Sequence, residues 1–468
     1  MKILLIAPAS GKWRGVGRHR VLGGKTFRFS MLSLLSVAAE TPRGHEVRVV
    51  DEQIEGVPWW EPVDLVGITC MTALAPRAYE IARRYRARGV PVVLGGMHPS
   101  LCADEALGHA DAVVVGDAEG GAWVRVVRDA EAGRLQGVYR NPVPPPLAGL
   151  RPVPRHLLHG DRYATVHAVQ ATRGCPHGCD FCAVSAFHGR GQRRRPVAEV
   201  AAEVAEIPGE FFLFVDDNLT ADRDYARSLF AALQPLGKRW VTQSTLGIAD
   251  DAGFVAEAAR AGCIGLFVGL ESFSESNLGG VGKSFNRVGG YRRAIRLLHG
   301  HGIGVEAGIV FGFDGDRPEV FEDTLRLLDD LEIDAVQVSI FTPLPGTPRH
   351  RVMSGRIFDR DWAHYDFHHA VFSPRGMTPE ALKEGHDWVV REFYSPWRIA
   401  RRLWRHARRP GGLRTLKYVA AINGAYLGRV LRWGIRGRNP VLGARSAAGR
   451  GRVARGPSVI PQPRRAAA

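Results

Sequence analysis

The sequence predicts an α/β protein with two parallel-sheet units in series and a mainly helical C-terminal region. Three observations predict it. Short apolar runs alternate with helix-patterned segments through residues 1–140. The same alternation restarts near Ala164 and continues through six strands. Between the two series lies NPVPPPLAGLRPVPR (141–155), whose six prolines rule out a helix or an inner strand and mark a linker.

The strands of the first series are KILLIA, HEVRVVD, LVGIT, PVVLGG and AVVVG. PRAYEIARRYRARG, between the third and fourth, places apolar and small side chains at helical spacing and ends on a glycine. Residues 1–140 therefore read as a Rossmann-like, doubly wound parallel sheet, followed by a linker over 141–159. The second series spans 160–372. Its strands are TVHAVQAT (165–172), FFLFVDD, WVTQST, GLFVGLES, VEAGIVFG and AVQVSIF, with helices such as VAEVAAEVAEI, DYARSLFAALQPLG and GGYRRAIRLLHGHG between them. Six such units predict a (β/α)6-type partial TIM barrel, with its chemistry at the C-terminal ends of the strands. From about Ser373 the pattern changes. MTPEALKEGHDWVVREFY reads as a helix after a Thr-Pro start, within a helical region over 373–438. Residues 439–468, rich in Gly, Ala, Arg and Pro, read as a basic, disordered tail.

The totals bound the function. Of the 468 residues, 45% are hydrophobic and 24% charged, as in an ordinary globular protein. The opening MKILLIAPAS has too short an apolar run for a secretory signal, and no stretch of about 18 apolar residues predicts a spanning helix. The expected location is the cytoplasm. Three of the six cysteines lie within eight residues and three are scattered, which is no disulfide framework. The net charge of +16 is concentrated in the C-terminal segment. Residues 401–468 carry 17 Lys and Arg and no Asp or Glu, leaving the first 400 residues near neutral.

The most specific local signal is Cys175-Pro-His-Gly-Cys179-Asp-Phe-Cys182, a C-x₃-C-x₂-C triplet after the strand VQAT. Thiolates bind iron strongly, and close spacing lets one loop wrap one cluster. Three sulfurs on a four-iron cubane leave one iron open to a chelating amine and carboxylate. A structural zinc site is the plainer alternative. It needs four ligands, and His177, inside the loop, is awkwardly placed to be the fourth.

With the segments that follow it, the triplet resembles the signature of the radical S-adenosylmethionine (SAM) superfamily. The resemblance covers roughly 160–375 and implies a 4Fe–4S cluster on Cys175, Cys179 and Cys182, with Phe181 beside it. Phe214-Val215-Asp216-Asp217-Asn218 resembles the segment that contacts the methionine amino group, implying SAM contacts from Asp216, Asp217 and Asn218. Gly269-Leu270-Glu271-Ser272 resembles the fourth-strand motif and implies contacts from Glu271 and Ser272. Gly308-Ile309-Val310-Phe311-Gly312 resembles the fifth-strand segment that approaches adenine, implying Gly308 and Gly312. Thr342-Pro343-Leu344-Pro345-Gly346-Thr347-Pro348 resembles a sixth-strand ending. Read singly, each has a structural alternative: acidic residues end buried strands, Glu271 could pair with a buried Arg, and glycines mark bends or close packing. The family's chemistry is reductive cleavage of SAM followed by abstraction of a substrate hydrogen.

In the first unit, Val93-Leu94-Gly95-Gly96-Met97-His98-Pro99-Ser100, Gly67-Ile68-Thr69-Cys70-Met71-Thr72 and Val114-Val115-Gly116-Asp117-Ala118-Glu119-Gly120 each end a strand. An open α/β sheet binds cofactors at such ends. The set resembles the cobalamin-binding domain that precedes the barrel in one branch of that superfamily. The resemblance implies cobalamin contacts from Thr69, Thr72, Gly95, Gly96, His98, Pro99, Ser100, Gly116 and Glu119. The D-x-H-x-x-G motif that ligates cobalt in many such domains is absent after the first strand. His19, in PASGKWRGVGRH, does not fit it, so the lower cobalt ligand stays unassigned. For His98 the plainer role is a hydrogen bond within its own loop.

The resemblance thus implies a cobalamin-dependent radical enzyme, most simply a C-methyltransferase acting on a small-molecule or lipid-like substrate. An electron donor such as flavodoxin or ferredoxin would serve it. A cobalamin-assisted radical cyclase or oxidoreductase is the enzymatic alternative, and a non-catalytic cobalamin or redox sensor the other. A methylthiotransferase is excluded because no second cysteine triplet is present. In LKYVAAINGAYLGRVLRWGI (416–435), Val419, Ile422, Tyr426, Val430 and Trp433 share a face bordered by Arg429, Arg432 and Arg436. The plain reading packs this helix on the barrel. The sharper one lays it on a membrane surface, making the protein peripheral there. No motif supports nucleic-acid binding.

Overall fold

In the computed structural model the described residues are 1–11, 26–29 and 31–441. The loop around His19 and the tail beyond residue 441 lie outside them. Ile3 to Ala7 are all buried, because Lys2–Ala7 is a central strand covered on both faces. Its alternate residues divide accordingly. Ile3 and Leu5 pack with Leu34, Leu35 and Trp123 of the helices Leu32–Glu40 and Ala122–Glu131. Leu4 and Ile6 pack with Ala78, Ile81 and Tyr85 of the helix Ala75–Arg86.

All strands of this sheet are parallel, in the spatial order Glu46–Asp51, Lys2–Ala7, Leu65–Thr69, Val92–Gly95, Ala112–Val115, Gly137–Arg140. The order reverses between Lys2–Ala7 and Leu65–Thr69, where a doubly wound sheet opens a crevice at its carboxyl edge. The sequence predicts five of these strands. Gly137–Arg140 is the sixth, an edge strand too short and too polar to show a pattern.

The second sheet has six parallel strands in sequence order: Ala168–Val169, Phe211–Phe214, Arg239–Ser244, Cys263–Glu271, Gly304–Phe311 and Ala335–Ile340. Its apolar faces meet the helices in one large core. Phe214, Trp240, Phe230 and Phe254 form a chain of ring contacts with centroids 5.4–5.6 Å apart. Truncating any of these to alanine should cost about 3–5 kcal/mol.

The expected strand 165–172 is broken. Tyr163–Thr165 pairs with Thr26–Phe29, only Ala168–Val169 joins the barrel sheet, and Thr172–Arg173 pairs antiparallel with Arg193–Arg194. The cause is local. The Asp216 carboxylate accepts from the amides of Ala171 and Thr172 and draws the backbone off the ladder.

The helix Pro379–Phe393 starts as expected, with the Thr378 hydroxyl accepting from the Ala381 amide and proline in the first turn. Pro396–Ala407 and Gly412–Trp433 follow. The apolar face of the last helix is engaged internally. Val419 and Ile422 are buried, the Tyr426 ring stacks on Tyr394 at 4.8 Å, and its hydroxyl donates to Glu306 at 2.8 Å. This is packing on the barrel, the plain reading, and it engages Val419, Ile422 and Tyr426 away from any lipid surface. Among the described residues no helix is long and apolar enough to cross a membrane.

Candidate functional site

The carboxyl edges of the two sheets face one another, and the predicted residues gather there in two groups. One is the cysteine loop that follows Thr172–Arg173. It is held at several points. The Gly174 amide donates to Asp217 at 2.9 Å, the Ser185 hydroxyl to the His177 carbonyl at 3.0 Å, and the Arg349 side chain grips Asp180. The Asn218 amide points at Cys175 Sγ, 3.8 Å away, and its buried Oδ1 has no hydrogen-bond partner. Cys179 is buried, and that burial pushes its thiol up to about 11, with Lys283 pulling the other way. His177 lies flat on Phe285 at 3.8 Å, as a packed ring. Three thiols on one braced loop, with an orphaned acceptor beside them, suit a larger inorganic body.

The expected SAM residues divide by what they touch. Asp216 is wholly buried and accepts from Thr172 Oγ1 at 2.7 Å as well as from the two amides. Burial pushes it up to about 7 even so. Its oxygens are engaged by Ala171 and Thr172, which ties Asp216 to the end of the first barrel strand. Asp217 braces the cysteine loop. The Ser272 hydroxyl accepts from the Ser274 amide at 3.1 Å and from Asn277 at 3.4 Å, which closes its own turn.

Glu271 ends its strand at φ 64°, unusual for a residue with a side chain and a sign of local strain. The ladder slips between Gly269 and Glu271, and a Cβ at Gly269 would strike the Glu271 carboxylate. That carboxylate pairs at 2.5 Å with Lys283, a residue the sequence reading missed. Burial opposes the Lys283 ammonium, but Glu271 and Cys179 outweigh it and hold its pKa above the usual value. Gly308 packs under Phe267, and a side chain there would meet that ring at 3.1 Å. Gly312, at φ 104°, turns the fifth strand into a cavity of about 320 Å³ shared with Asn277, Phe313, Phe341 and Arg349. Phe181 sits 5.9 Å from Phe341 at the edge of the core.

The second group lines a cavity of about 390 Å³ at the crevice of the first sheet. Of the residues the resemblance assigns to cobalamin, Thr69, Gly95, Gly96, Gly116 and Glu119 line it. Trp123, Leu5 and Gly67 lie deeper. From the barrel side Gln170, Arg173, Phe187, His188 and Val215 close it, so the two sheets share one chamber. Gly96 adopts φ 95°, and a Cβ there would lie 2.6 Å from Thr69 Oγ1. Gly116, at φ 81°, has open space where a side chain would stand. These are cradles a bulky ring can approach. The Glu119 carboxylate itself is taken by Arg173 at 2.6 Å, and Arg173 also donates to Asp117 at 2.8 Å.

Four expected cobalamin residues lie outside the large cavity. Thr72 is buried at the start of a short turn, and Pro99 is buried within the short helix Met97–Leu101. Ser100 sits behind the glycines, donating to the Gly96 carbonyl at 2.7 Å and accepting from the Gly116 amide at 3.0 Å. His98 is completely buried. Its Nε2 meets the Tyr79 hydroxyl at 3.0 Å, its ring stands edge-on to Trp362, and burial lowers its pKa. Tyr79 and the Trp362 indole both donate to Glu105 at 2.9 Å. His98 thus belongs to a latch between the first sheet and the segment after the barrel. These contacts fit the plainer role, a hydrogen bond in the packed interior, and His98 is not among the residues that line the large cavity.

Arg173, Lys283 and His188 are the functional neighbours that sequence reasoning missed. Arg173 meets Asp117 and Glu119 more than 50 residues away, and Lys283 and His188 belong to no repeating pattern, so nothing local announces them.

Comparison with known proteins agrees with this arrangement. The description of the Radical SAM superfamily matches residues 169–328, and that of the B12 binding domain matches 29–122. The chain is 30% identical over 384 residues to bacteriochlorophyllide d C-12(1)-methyltransferase of Chlorobaculum tepidum, covering 80% of this chain and 84% of that protein. It is 26% identical over 393 residues to hopanoid C-2 methylase of Rhodopseudomonas palustris, covering 77% and 74%. The fold is similar to that of TsrM from Kitasatospora setae, a radical S-adenosylmethionine methyltransferase solved with tryptophan and a SAM analogue. The TM-score is 0.59 at 18% identity, over 96% of this chain and 99% of that one.

Proposed function

The chain belongs to the radical SAM superfamily, in the branch that carries a B12 binding domain, and from that premise we propose that it is a C-methyltransferase acting on a largely apolar small molecule. The single observation that carries the reading is the shared chamber. Glycine-lined strand ends of the first sheet and residues flanking the cysteine loop close the same 390 Å³ cavity. The relatives whose names speak of bacteriochlorophyllide and hopanoid methylation support the reaction class and the apolar substrate.

Cys175, Cys179 and Cys182 would hold the 4Fe–4S cluster, and the Thr69, Gly95–Gly96 and Gly116 strand ends would hold cobalamin. When bound, the cluster supplies the electron that cleaves SAM, and cobalamin supplies the methyl carrier. The chain's own part is positioning. Asp217, Ser185 and Arg349 brace the loop before any group binds, so little reorganisation is left for the reaction. Glu271 and Asn218 would orient SAM, with Lys283 fixing the Glu271 carboxylate. Gly312 opens the turn beside the cavity of about 320 Å³. Phe187 and Val215 place apolar surface on the barrel side of the chamber, which keeps water from a reactive site. A low-potential reductant of flavodoxin or ferredoxin type would feed the cluster.

The test is anaerobic reconstitution of the wild-type chain and the C175A/C179A/C182A variant with iron, sulfide and hydroxocobalamin. The wild type should take up about four irons and release 5′-deoxyadenosine on reduction with SAM present. The variant should lose both and keep its cobalamin. Methyl-labelled SAM, offered with extracts of apolar metabolites, should pass label to carbon. Iron retained by the variant would overturn the cluster assignment, and cleavage without label transfer would remove the methyl-transfer reading alone.

A further inference from the structure

The helix Pro396–Ala407 is built inside out. Trp397, Arg401, Trp404 and Arg408 recur at helical spacing on its exposed arc, with Trp397 77% and Trp404 56% exposed. Its buried arc carries Arg402 and His406, 6% and 2% exposed. Those polar groups bond to the elements below. Arg402 donates to the Phe393 carbonyl and to Asn423 Oδ1, both at 2.8 Å, with its guanidinium 3.8 Å from the Phe393 ring. His406 bridges Asp334 at 2.9 Å and Thr415 at 2.8 Å. The barrel therefore takes the helix's polar side chains and leaves its two largest apolar ones in water, the reverse of ordinary burial.

The neighbouring features match in chemistry. The Arg408 guanidinium lies 3.9 Å from the Trp404 ring, so cation and indole are presented together. The next helix opens with Leu413, 73% exposed, and with exposed Arg414 and Lys417. From residue 401 onward the chain has 17 basic residues and no acidic one, so nothing there repels an anionic surface.

We propose that the Trp397–Trp404 face docks on an anionic lipid bilayer. Indole rings are at home at headgroup level, where an apolar body and a polar N–H are both satisfied. Arginine forks match lipid phosphate. Leu413 adds an aliphatic group, which a bilayer accepts and on which nucleobases do not stack, so lipid fits this surface better than nucleic acid does. The surface lies on a different helix from the stripe at Val419 and Ile422, which the barrel covers.

The experiment is co-sedimentation of the full-length reconstituted protein with vesicles of phosphatidylglycerol mixed with phosphatidylcholine, and of phosphatidylcholine alone. A single-stranded RNA retention assay runs in parallel. Wild type should partition onto the anionic vesicles and progressively less as salt rises. W397A/W404A should partition at least about tenfold more weakly, since two indoles no longer enter the interface. Its melting temperature and iron content should match wild type, since both side chains are exposed. Equal partition of variant and wild type would overturn the proposal, because charge alone would then account for binding. Retention on RNA with no partition onto vesicles would overturn it as well.

Discussion

Asp216 and Asp217 are neighbours in sequence and do different work. Asp216 turns back into the protein and holds the amides of Ala171 and Thr172, whereas Asp217 reaches forward to the Gly174 amide at the root of the cysteine loop. A strand end presents successive side chains to opposite faces, so one of such a pair is structural by geometry. His98 makes the same point. Its motif places it beside a glycine pair that lines the chamber, yet the ring is buried against Tyr79 and Trp362. His98→Ala should therefore cost about 2–3 kcal/mol of stability in urea denaturation, through a lost buried ring and hydrogen bond. Hydroxocobalamin uptake, titrated on the same variant, should stay unchanged. Loss of uptake without loss of stability would place His98 at the ring after all.

At the scale of elements, the barrel and the C-terminal helices are joined at one buried carboxylate. Asp334, just before the strand Ala335–Ile340, accepts from His299 at 3.0 Å, His406 at 2.9 Å, Arg409 at 2.9 Å and the Val305 amide at 2.9 Å. Burial alone would raise its pKa, but the hydrogen bonds from His299 and His406 and the charge of Arg409 hold it well below the usual carboxylate range. Because the folded value is depressed, the stability it contributes is present above the unfolded value near 4 and is lost as pH falls below it. Asp334→Asn should cost about 3–5 kcal/mol at neutral pH, since Arg409 loses its carboxylate and two buried imidazoles lose an anionic partner. The difference from wild type should shrink below about pH 4. Urea melts across pH check this, and a difference that persists in acid would mean that shape rather than charge carries the effect.

For the whole molecule, the relation between the two sheets rests on a charge clamp at the chamber wall. Arg173, two residues before Cys175, donates to Asp117 and Glu119 of the first unit and to Gln170 of its own, and Arg193 adds a second contact to Asp117 at 2.7 Å. Removing one partner of a buried ion pair leaves the others uncompensated. Arg173→Met should destabilise the protein by about 3–5 kcal/mol. It should also let the two units part, seen as faster proteolysis within the proline-rich segment 141–155 than within either sheet. Unchanged cleavage there would show that Trp362, Glu105 and the packing of Gly346 on Leu101 hold the units without it.

The sequence by itself determined the class of fold, the order of its strands and helices, and the chemistry of the cysteine loop. Those properties are written in local periodicity and in spacing within a few residues, which neighbouring side chains decide. The three cysteines, the Gly95–Gly96 turn and the Thr378 cap were legible for that reason. Only the tertiary structure decided which strand-end residues face the chamber. It turned Asp216 and His98 inward, left Gly96 and Gly116 lining the crevice, and broke the first barrel strand by an acceptor 44 residues further along the chain. It also brought Lys283 to Glu271 and Arg173 to Glu119, and it set Arg402 inside and Trp404 outside on one short helix. Direction and partnership of this kind depend on contacts between segments distant in sequence. A buried charge goes wherever its partner lies, and no local pattern records where that is.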